Sequence, residues 1–391
     1  MQTFHELFHL PHHKSEYLSL LYIVATARSF VMSFLSLFIP ILLFNKFISL
    51  GFKTNNALIF VGVAFLFFYL AHGISVYYVS RINATYGIKK SFFISQILFV
   101  VFLFIINYAK SIDFILLSFE LWGIASAFWW LTYHIYFLEV GKKREFGREL
   151  GIAEIFGIGA GLISPFIAGI ILNYLGSFYL YGLALIAVFI SLILVIFTKD
   201  FEKLVRVNIE ELVSEFLRRK REFSAYVGVG TEQVIYSVVW PLLLFSIFKN
   251  YLAVGGFSSL VILVTAFAAF ISGRLSDKMP KDRLEKFGSG VVASMWLGKV
   301  LFQSPTGIFV LDAIYRVFVN FFYLPITALG YDNALTDNKV AYLTFREIAY
   351  KIGNMLGLAV FIFFIIVGLP FWLVFIAGAL FSLLPMLIRK A

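Results

Sequence analysis

Roughly a dozen long apolar runs follow one another along the chain with short polar breaks between them, and each is about 20 residues, the length a helix needs to cross a bilayer core. They predict spans near 18–46, 55–80, 90–109, 113–138, 149–173, 175–198, 224–250, 254–276, 286–304, 306–330, 341–367 and 369–388. The runs take up about 260 residues, which leaves no sizeable soluble domain. Composition agrees: 61% of the 391 residues are hydrophobic and 14% are charged, far from the near-even apolar share and quarter charged share of soluble chains. The pattern predicts an all-α integral membrane protein with twelve transmembrane helices.

A net charge of +10 would suit a nucleic-acid binder, so the positions of the charges decide the matter. Twelve spans put both termini on one side. With that side taken as the cytoplasm, 22 of the 32 Lys and Arg residues fall inside, among them Lys142, Lys143, Arg144, Arg218, Arg219, Lys220 and Arg221. Only Lys46, Lys53, Lys110 and Lys249 fall outside, and six lie within or at the edges of spans. Excess Lys and Arg on cytoplasmic loops is the positive-inside rule, so topology accounts for the charge without nucleic acid. The chain contains no cysteine, which excludes disulfides, thiolate metal sites and cysteine nucleophiles. The opening MQTFHELFHLPHHKSEY lacks the basic-then-apolar order of a cleavable secretory peptide, so the first span is expected to stay. The expected setting is a prokaryotic plasma membrane with both termini cytoplasmic.

The longest break, 199–222, has apolar residues at Val205, Ile209, Leu212 and Phe216, a helical spacing that predicts an amphipathic helix on the cytoplasmic face. It divides the chain into a tail (1–17), an N-terminal bundle (18–198), a linker (199–223) and a C-terminal bundle (224–391). The two bundles repeat one unit. Pro40-Ile41-Leu42-Leu43-Phe44 of span one recurs as Pro241-Leu242-Leu243-Leu244-Phe245 of span seven. Gly73 and Tyr86-Gly87 recur as Gly273 and Phe287-Gly288. Ile152-Ala153, Gly157 and Gly161-Leu162 of span five recur as Ile348-Ala349, Gly353 and Gly357-Leu358 of span eleven. Three matches in order at a nearly constant offset predict two pseudo-symmetric six-helix bundles about an axis along the membrane normal.

On these residues the chain resembles the major facilitator superfamily over essentially its whole length. The family's loop after spans two and eight has the form G-x-L-x-D-[RK]-x-G-[RK]-[RK]. Its second copy here is Gly273-Arg274-Leu275-Ser276-Asp277-Lys278-Met279-Pro280-Lys281-Asp282-Arg283, with Pro280 for the later Gly; the first copy keeps Gly73 and Arg81 but has Tyr77 in the place of the acid. The resemblance implies an inner gate at Gly273, Asp277, Lys278 and Arg283, where a charge cluster at a span's end bridges the bundles; the alternative is a solvated cluster that only sets topology. Span five, with Gly157, Gly161, Ser164-Pro165 and Ala168-Gly169, resembles the exporter pattern G-P-x-x-G-G with two glycines replaced. Span four keeps Gly123, Ala125 and Ala127 of the proton-antiporter pattern but has Phe119 where those carry arginine.

Ionisable side chains inside a bilayer are costly and mark functional sites. Such residues are Arg28 in span one, Glu120 and His134 in span four, Glu154 in span five, Glu232 in span seven, Lys299 in span nine, Asp312 and Arg316 in span ten, and Arg346, Glu347 and Lys351 in span eleven. The family resemblance makes spans one, four, seven and ten the cavity-lining helices. Arg28 and Glu120 come to similar depth, Asp312 and Arg316 are one turn apart, and Asn320 continues their stripe. Glu120, Gly123, Ala127, Trp130 and His134 share one face, as do Glu232, Tyr236 and Trp240. Carboxylates beside aromatic rings suit an organic substrate. Glu232 has no acid or base a turn away, and a carboxylate in a low-dielectric site favours its neutral form, so it leads as the proton carrier. The alternatives are static Arg28–Glu120 and Asp312–Arg316 pairs that fix helix register. Arg346, Glu347 and Lys351 are gate candidates towards span two, with structural pairing equally open. Lys299 is expected to snorkel or support, and His72 to be a satisfied packing residue.

His5, His9, His12 and His13 crowd the tail without the carboxylate or cysteine partners of a metal site, and no phosphate loop, zinc motif or nucleophile elbow is present. No cofactor is expected. The sequence thus predicts a monomeric secondary transporter working by alternating access with protons as coupling partner, exporting an amphipathic organic compound. Uptake of an anionic or zwitterionic metabolite held by Arg28 and Arg316 is the second reading. A lipid flippase or a non-transporting scaffold is the third.

Overall fold

The computed structural model describes residues 12–141, 146–198, 200, 205–276, 281–335 and 338–388, with side chains described outside 12–16, 147–148, 154, 160 and 265–282. Among these residues every regular element is helical. Among the described residues, nine helices are long and apolar enough to cross a membrane: Tyr17–Ser49, Thr54–Tyr86, Ile88–Tyr108, Ile112–Val140, Glu149–Tyr174, Ser177–Ile196, Lys220–Phe248, Pro305–Ala334 and Lys339–Ile366. Tyr251–Ser276, Lys281–Leu301 and the short-helix segment Phe371–Leu387 complete twelve. In order they are spans one to twelve, and each overlaps the span predicted from hydropathy. Span nine begins with the polar stretch Lys281-Asp282-Arg283 and carries Lys299, which is why it stands apart in apolar character.

The repeated prolines interrupt spans one and seven at the same place. A proline inside a helix lacks an N–H and its ring meets the carbonyl four residues back. Span one accordingly turns at 36–38 and restarts at Ile39 with Pro40, and span seven passes through a π-helical turn, Ile235–Val239, before Trp240 and Pro241. Span five breaks at 162–163 ahead of Ser164-Pro165.

Packing repeats as well. Span one lies against five and six as span seven lies against eleven and twelve; three lies against four and six as nine lies against ten and twelve. The close approach of span eleven to span seven depends on glycine: a Cβ on Gly353 would sit 2.1 Å from the carbonyl oxygen of Val227. Spans two and eleven, and spans five and eight, join the two bundles. A Cβ on Gly255 of span eight would lie 2.3 Å from the carbonyl oxygen of Pro165 in span five, so that contact is backbone against backbone.

The linker contributes the helix Ile209–Arg218, closed at its start by a reciprocal cap between Asn208 and Glu211. Leu212 is buried, Phe216 is half-buried against Phe345 of span eleven, and Val205 and Ile209 are exposed, so only part of the expected apolar stripe faces the bundle. Arg219 follows, hydrogen-bonded to Glu215 at 2.7 Å and to Glu222 at 2.8 Å. Burial works against its charge, yet the two carboxylates outweigh burial and raise its pKa.

Candidate functional site

Among the described residues, three polar assemblies gather the buried charges of the spans. The first, in the C-terminal half, surrounds Glu232. Its Oε1 accepts from Tyr315 Oη at 2.5 Å and Trp296 Nε1 at 3.1 Å, and its Oε2 accepts from the Tyr323 hydroxyl. Spans nine and ten therefore saturate this carboxylate, all within one half, although span seven itself offers no partner. Beside it, Lys299 Nζ donates to Asp312 Oδ1 at 2.7 Å and is ringed by Trp240, Tyr315, Trp296 and Tyr236 at 3.9, 4.3, 4.4 and 5.4 Å from their centroids. Lys299 is fully buried and does not snorkel. It takes Asp312, so the expected pairing of Asp312 with Arg316 is replaced by one between spans nine and ten. A cation stripped of water is held by one carboxylate and the faces of four rings, a combination that offsets much of its desolvation.

The second assembly, in the N-terminal half, is built on Arg28. Its guanidinium donates to Gln96 Oε1 at 3.3 Å and lies 4.1 Å over the Phe99 ring and 5.3 Å from the Trp129 ring. Gln96 in turn donates to Ser191 of span six at 2.9 Å. Glu120 is half-buried, and among the described residues no ion pair joins it to Arg28. Arg28 lies instead among spans three and four, where Gln96 and the aromatic faces solvate it.

The third assembly crosses between the halves. Glu347 of span eleven approaches His72 Nε2 of span two at 3.5 Å, His134 Nε2 of span four at 3.4 Å and Arg346 at 3.4 Å. His134 Nδ1 meets the Tyr331 hydroxyl of span ten at 2.5 Å. Arg346 lies over Tyr331, and Lys351 lies over Tyr69 of span two. All five ionisable residues are buried. His72 is no satisfied packing residue: neither ring nitrogen makes a hydrogen bond. Nearer the end that carries the linker, Lys339 of span eleven pairs with Glu139 of span four. At the opposite end Asn45 donates to the Tyr251 hydroxyl at 2.6 Å, and Asn250 donates to Asn173 at 3.2 Å. The halves thus touch at both ends.

Between these assemblies some polar side chains keep access. Along span ten, Arg316, Asn320, Tyr323 and Thr327 are half-buried at helical spacing. On span seven, Gln233 is exposed and Tyr236 and Ser237 are half-buried. The Arg316 guanidinium stands 4.5 Å over the Tyr236 ring, which stacks on Tyr315. On span four, where nearly every neighbour is buried, Trp130 is 43% exposed and stacks on His134. Trp240, expected on the same face as Glu232 and Tyr236, is instead sealed against Lys299.

Residues 21–358 match the family profile described as Major Facilitator Superfamily. The chain belongs to the Major Facilitator Superfamily. Membership makes it an integral membrane protein, with the two six-helix bundles of the superfamily fold. The crystal structure described as that of the human organic anion transporter MFSD10 (TETRAN) superposes with a TM-score of 0.73, covering 96% of this chain and 99% of that one at 11% identity. A Bacillus subtilis (strain 168) protein described as uncharacterized protein YqgE is 21% identical over 266 residues, 63% of this chain and 62% of that protein. The superfamily match runs from span one into span eleven, while the bacterial relative is matched over less than two thirds of its length.

Of the superfamily loop after span eight, Gly273 lies in the helix Tyr251–Ser276 and Arg283 is exposed at the start of span nine. Asp277 and Lys278 lie outside the described residues. The Glu154 side chain does too. Sequence reasoning passed over Gln233, Tyr315, Tyr323 and Glu139. Tyr315 and Tyr323 carried a signal, since Tyr315 adjoins Arg316 and Tyr323 follows Asn320 by three residues on a span already rich in polar groups. Gln233 had one as well, as an uncharged polar residue beside Glu232.

Proposed function

We propose that the chain is a secondary transporter that moves a small organic anion bearing an aromatic or apolar part, by alternating access between the two bundles. One observation carries this reading: Arg316 remains on a partly accessible polar face while the acids around it are engaged elsewhere. Glu232 is bound by three donors and Asp312 by Lys299, so neither offers a free negative charge to a cationic substrate. Arg316, Asn320, Thr327 and Gln233 supply a cation and neutral donors, the set that recognises a carboxylate or phosphate-type group. Tyr236 and the exposed Trp130 supply apolar faces for the rest of the molecule. The substrate class is thus the anionic one, and its amphipathic character comes from the rings. The human structure that superposes on this chain is described as an organic anion transporter, which accords with this reading.

Protons are the proposed coupling ion and export the proposed direction, the latter supported by the exporter-like span-five sequence. The basic loop residues support cytoplasmic termini and a prokaryotic plasma membrane, and the linker end is then the cytoplasmic end.

The test is flux in proteoliposomes. An aromatic carboxylate and the amine of the same skeleton are offered to the parent chain and to Arg316→Gln under an imposed pH gradient. The expected result is carboxylate flux in the parent, lowered by about tenfold or more in Arg316→Gln, consistent with losing a charge-assisted contact. Amine flux without carboxylate flux would overturn the anionic reading, and no flux of any organic solute would favour a scaffold.

A further inference from the structure

We propose that the buried His72–Glu347–His134 cluster is the proton-binding site of this transporter, and that it takes up protons when the linker end of the two bundles parts. The inference rests on the transporter reading above and assigns its coupling ion to a place in the chain.

The geometry distinguishes this cluster from the other acids. Glu232 and Asp312 are held by donors from spans nine and ten, inside one half, so a proton added there changes no contact between the bundles. Glu347 is different. It stands on span eleven of the C-terminal half and faces two histidines of the N-terminal half, 3.5 Å from His72 and 3.4 Å from His134. A change in the charge of any of the three acts directly on the closure.

The groups around the histidines set the direction. From span eleven come Glu347, Arg346 and, one turn beyond Glu347 on its face, Lys351; from span ten comes the Tyr331 hydroxyl; from span two itself comes Tyr69, under Lys351. One carboxylate thus already faces two basic side chains, Arg346 and Lys351, all three of them buried. A proton taken from bulk water onto a ring nitrogen of His72 or His134 would add a third positive charge there. Buried charge without a partner is strongly disfavoured, so the closed arrangement suits neutral histidines. Neutral His134 is well served: its Nδ1 can accept from the Tyr331 hydroxyl, and its Nε2 stands 3.4 Å from Glu347 Oε1. His72, with no hydrogen bond at either nitrogen, has nothing to lose by protonation once water reaches it. Histidine is also the side chain whose ordinary titration lies within the range of cellular pH. Opening of the linker end therefore loads protons, and closing releases them.

Because the parent chain has no cysteine, a pair of spin labels on Thr85→Cys and Lys286→Cys, both exposed and at the linker ends of spans two and nine, reports the separation of the halves in nanodiscs. Distances are measured by pulsed electron resonance from pH 8 to pH 5 in the full chain without substrate, so a failed flux assay and a failed proton site are read independently. The expected result is a longer-distance population whose ratio to the short one rises at least about tenfold as pH falls, the linkage for one or two protons. His72→Gln with His134→Gln should reduce that change to less than about twofold, and Glu232→Gln should leave it intact. Glu347→Gln, which removes the carboxylate and leaves both cations, should open the linker end at every pH. Distances in the parent that do not move with pH overturn the proposal. So does a response that survives in the double histidine variant, or a linker end that stays closed at pH 8 in Glu347→Gln.

Discussion

The two halves bury charge in opposite ways from equivalent helices. In each, the first span is tied to the third through positions 200 residues apart on the third: Arg28 donates to Gln96, and Glu232 accepts from Trp296. The N-terminal half thus buries a lone cation, solvated by an amide and two aromatic faces. The C-terminal half buries two acids and a lysine, solvated by two tyrosine hydroxyls, an indole N–H and a ring cage. Duplication kept the linkage and changed its chemistry. Neither network reaches across the interface, whereas Glu347 does. Internal charge at mid-depth in these two networks stays within one bundle, and the group placed between the halves is Glu347.

That contrast breaks most readily at Lys299. Replacing Lys299 by Met should strand Asp312 as an unpaired buried charge and cost about 3–5 kcal/mol, read as a large fall in thermal unfolding temperature in detergent. Adding Asp312→Leu should restore most of the loss, because the pair is then removed together. A next, smaller effect is expected for Glu232→Gln. The amide oxygen still accepts, but the three groups that now donate to a carboxylate must share that one oxygen or turn a tyrosine hydroxyl round to accept, so about 1–3 kcal/mol should be lost, with flux retained. Arg28→Met should cost less, about 1–2 kcal/mol, since a long apolar chain keeps the contact with Phe99 and leaves no ionised partner behind. An Arg28→Met loss as large as that of Lys299→Met would mean that the halves are not built differently after all. Smallest of all should be Glu139→Gln. Its partner Lys339 is a third exposed, so the expected change is under about 1 kcal/mol in unfolding, although the pair joins the halves.

What the sequence made legible follows from distance along the chain. Spans, the repeated prolines of spans one and seven, the proline of span five and the repeated glycines of span eleven all express themselves through periodicity or recurrence along the chain, and these were readable; that Pro40 and Pro241 interrupt their helices was not drawn from them. Pairings across space were not. Asp312 has Arg316 one turn away, which sequence favours, yet the true partner Lys299 comes from the antiparallel neighbour where spans nine and ten meet. Arg28 looked like a partner for Glu120 on depth alone; depth says nothing of the direction a side chain points around its helix. His72 looked unremarkable because its significance lies wholly in what spans four and eleven bring to it. The half-buried polar face of span ten was half read, from Arg316 and Asn320, and it continues to Tyr323 and Thr327.

The most direct measurement is proton-gradient dependence of carboxylate flux in proteoliposomes, for the parent, for Glu232→Gln and for His72→Gln combined with His134→Gln. Flux that follows the pH gradient in the parent and in Glu232→Gln, and loses that dependence in the double histidine variant, is the predicted outcome. Loss of the dependence in Glu232→Gln with its retention in the histidine variant would contradict the division between charges that hold a bundle and charges that report its movement.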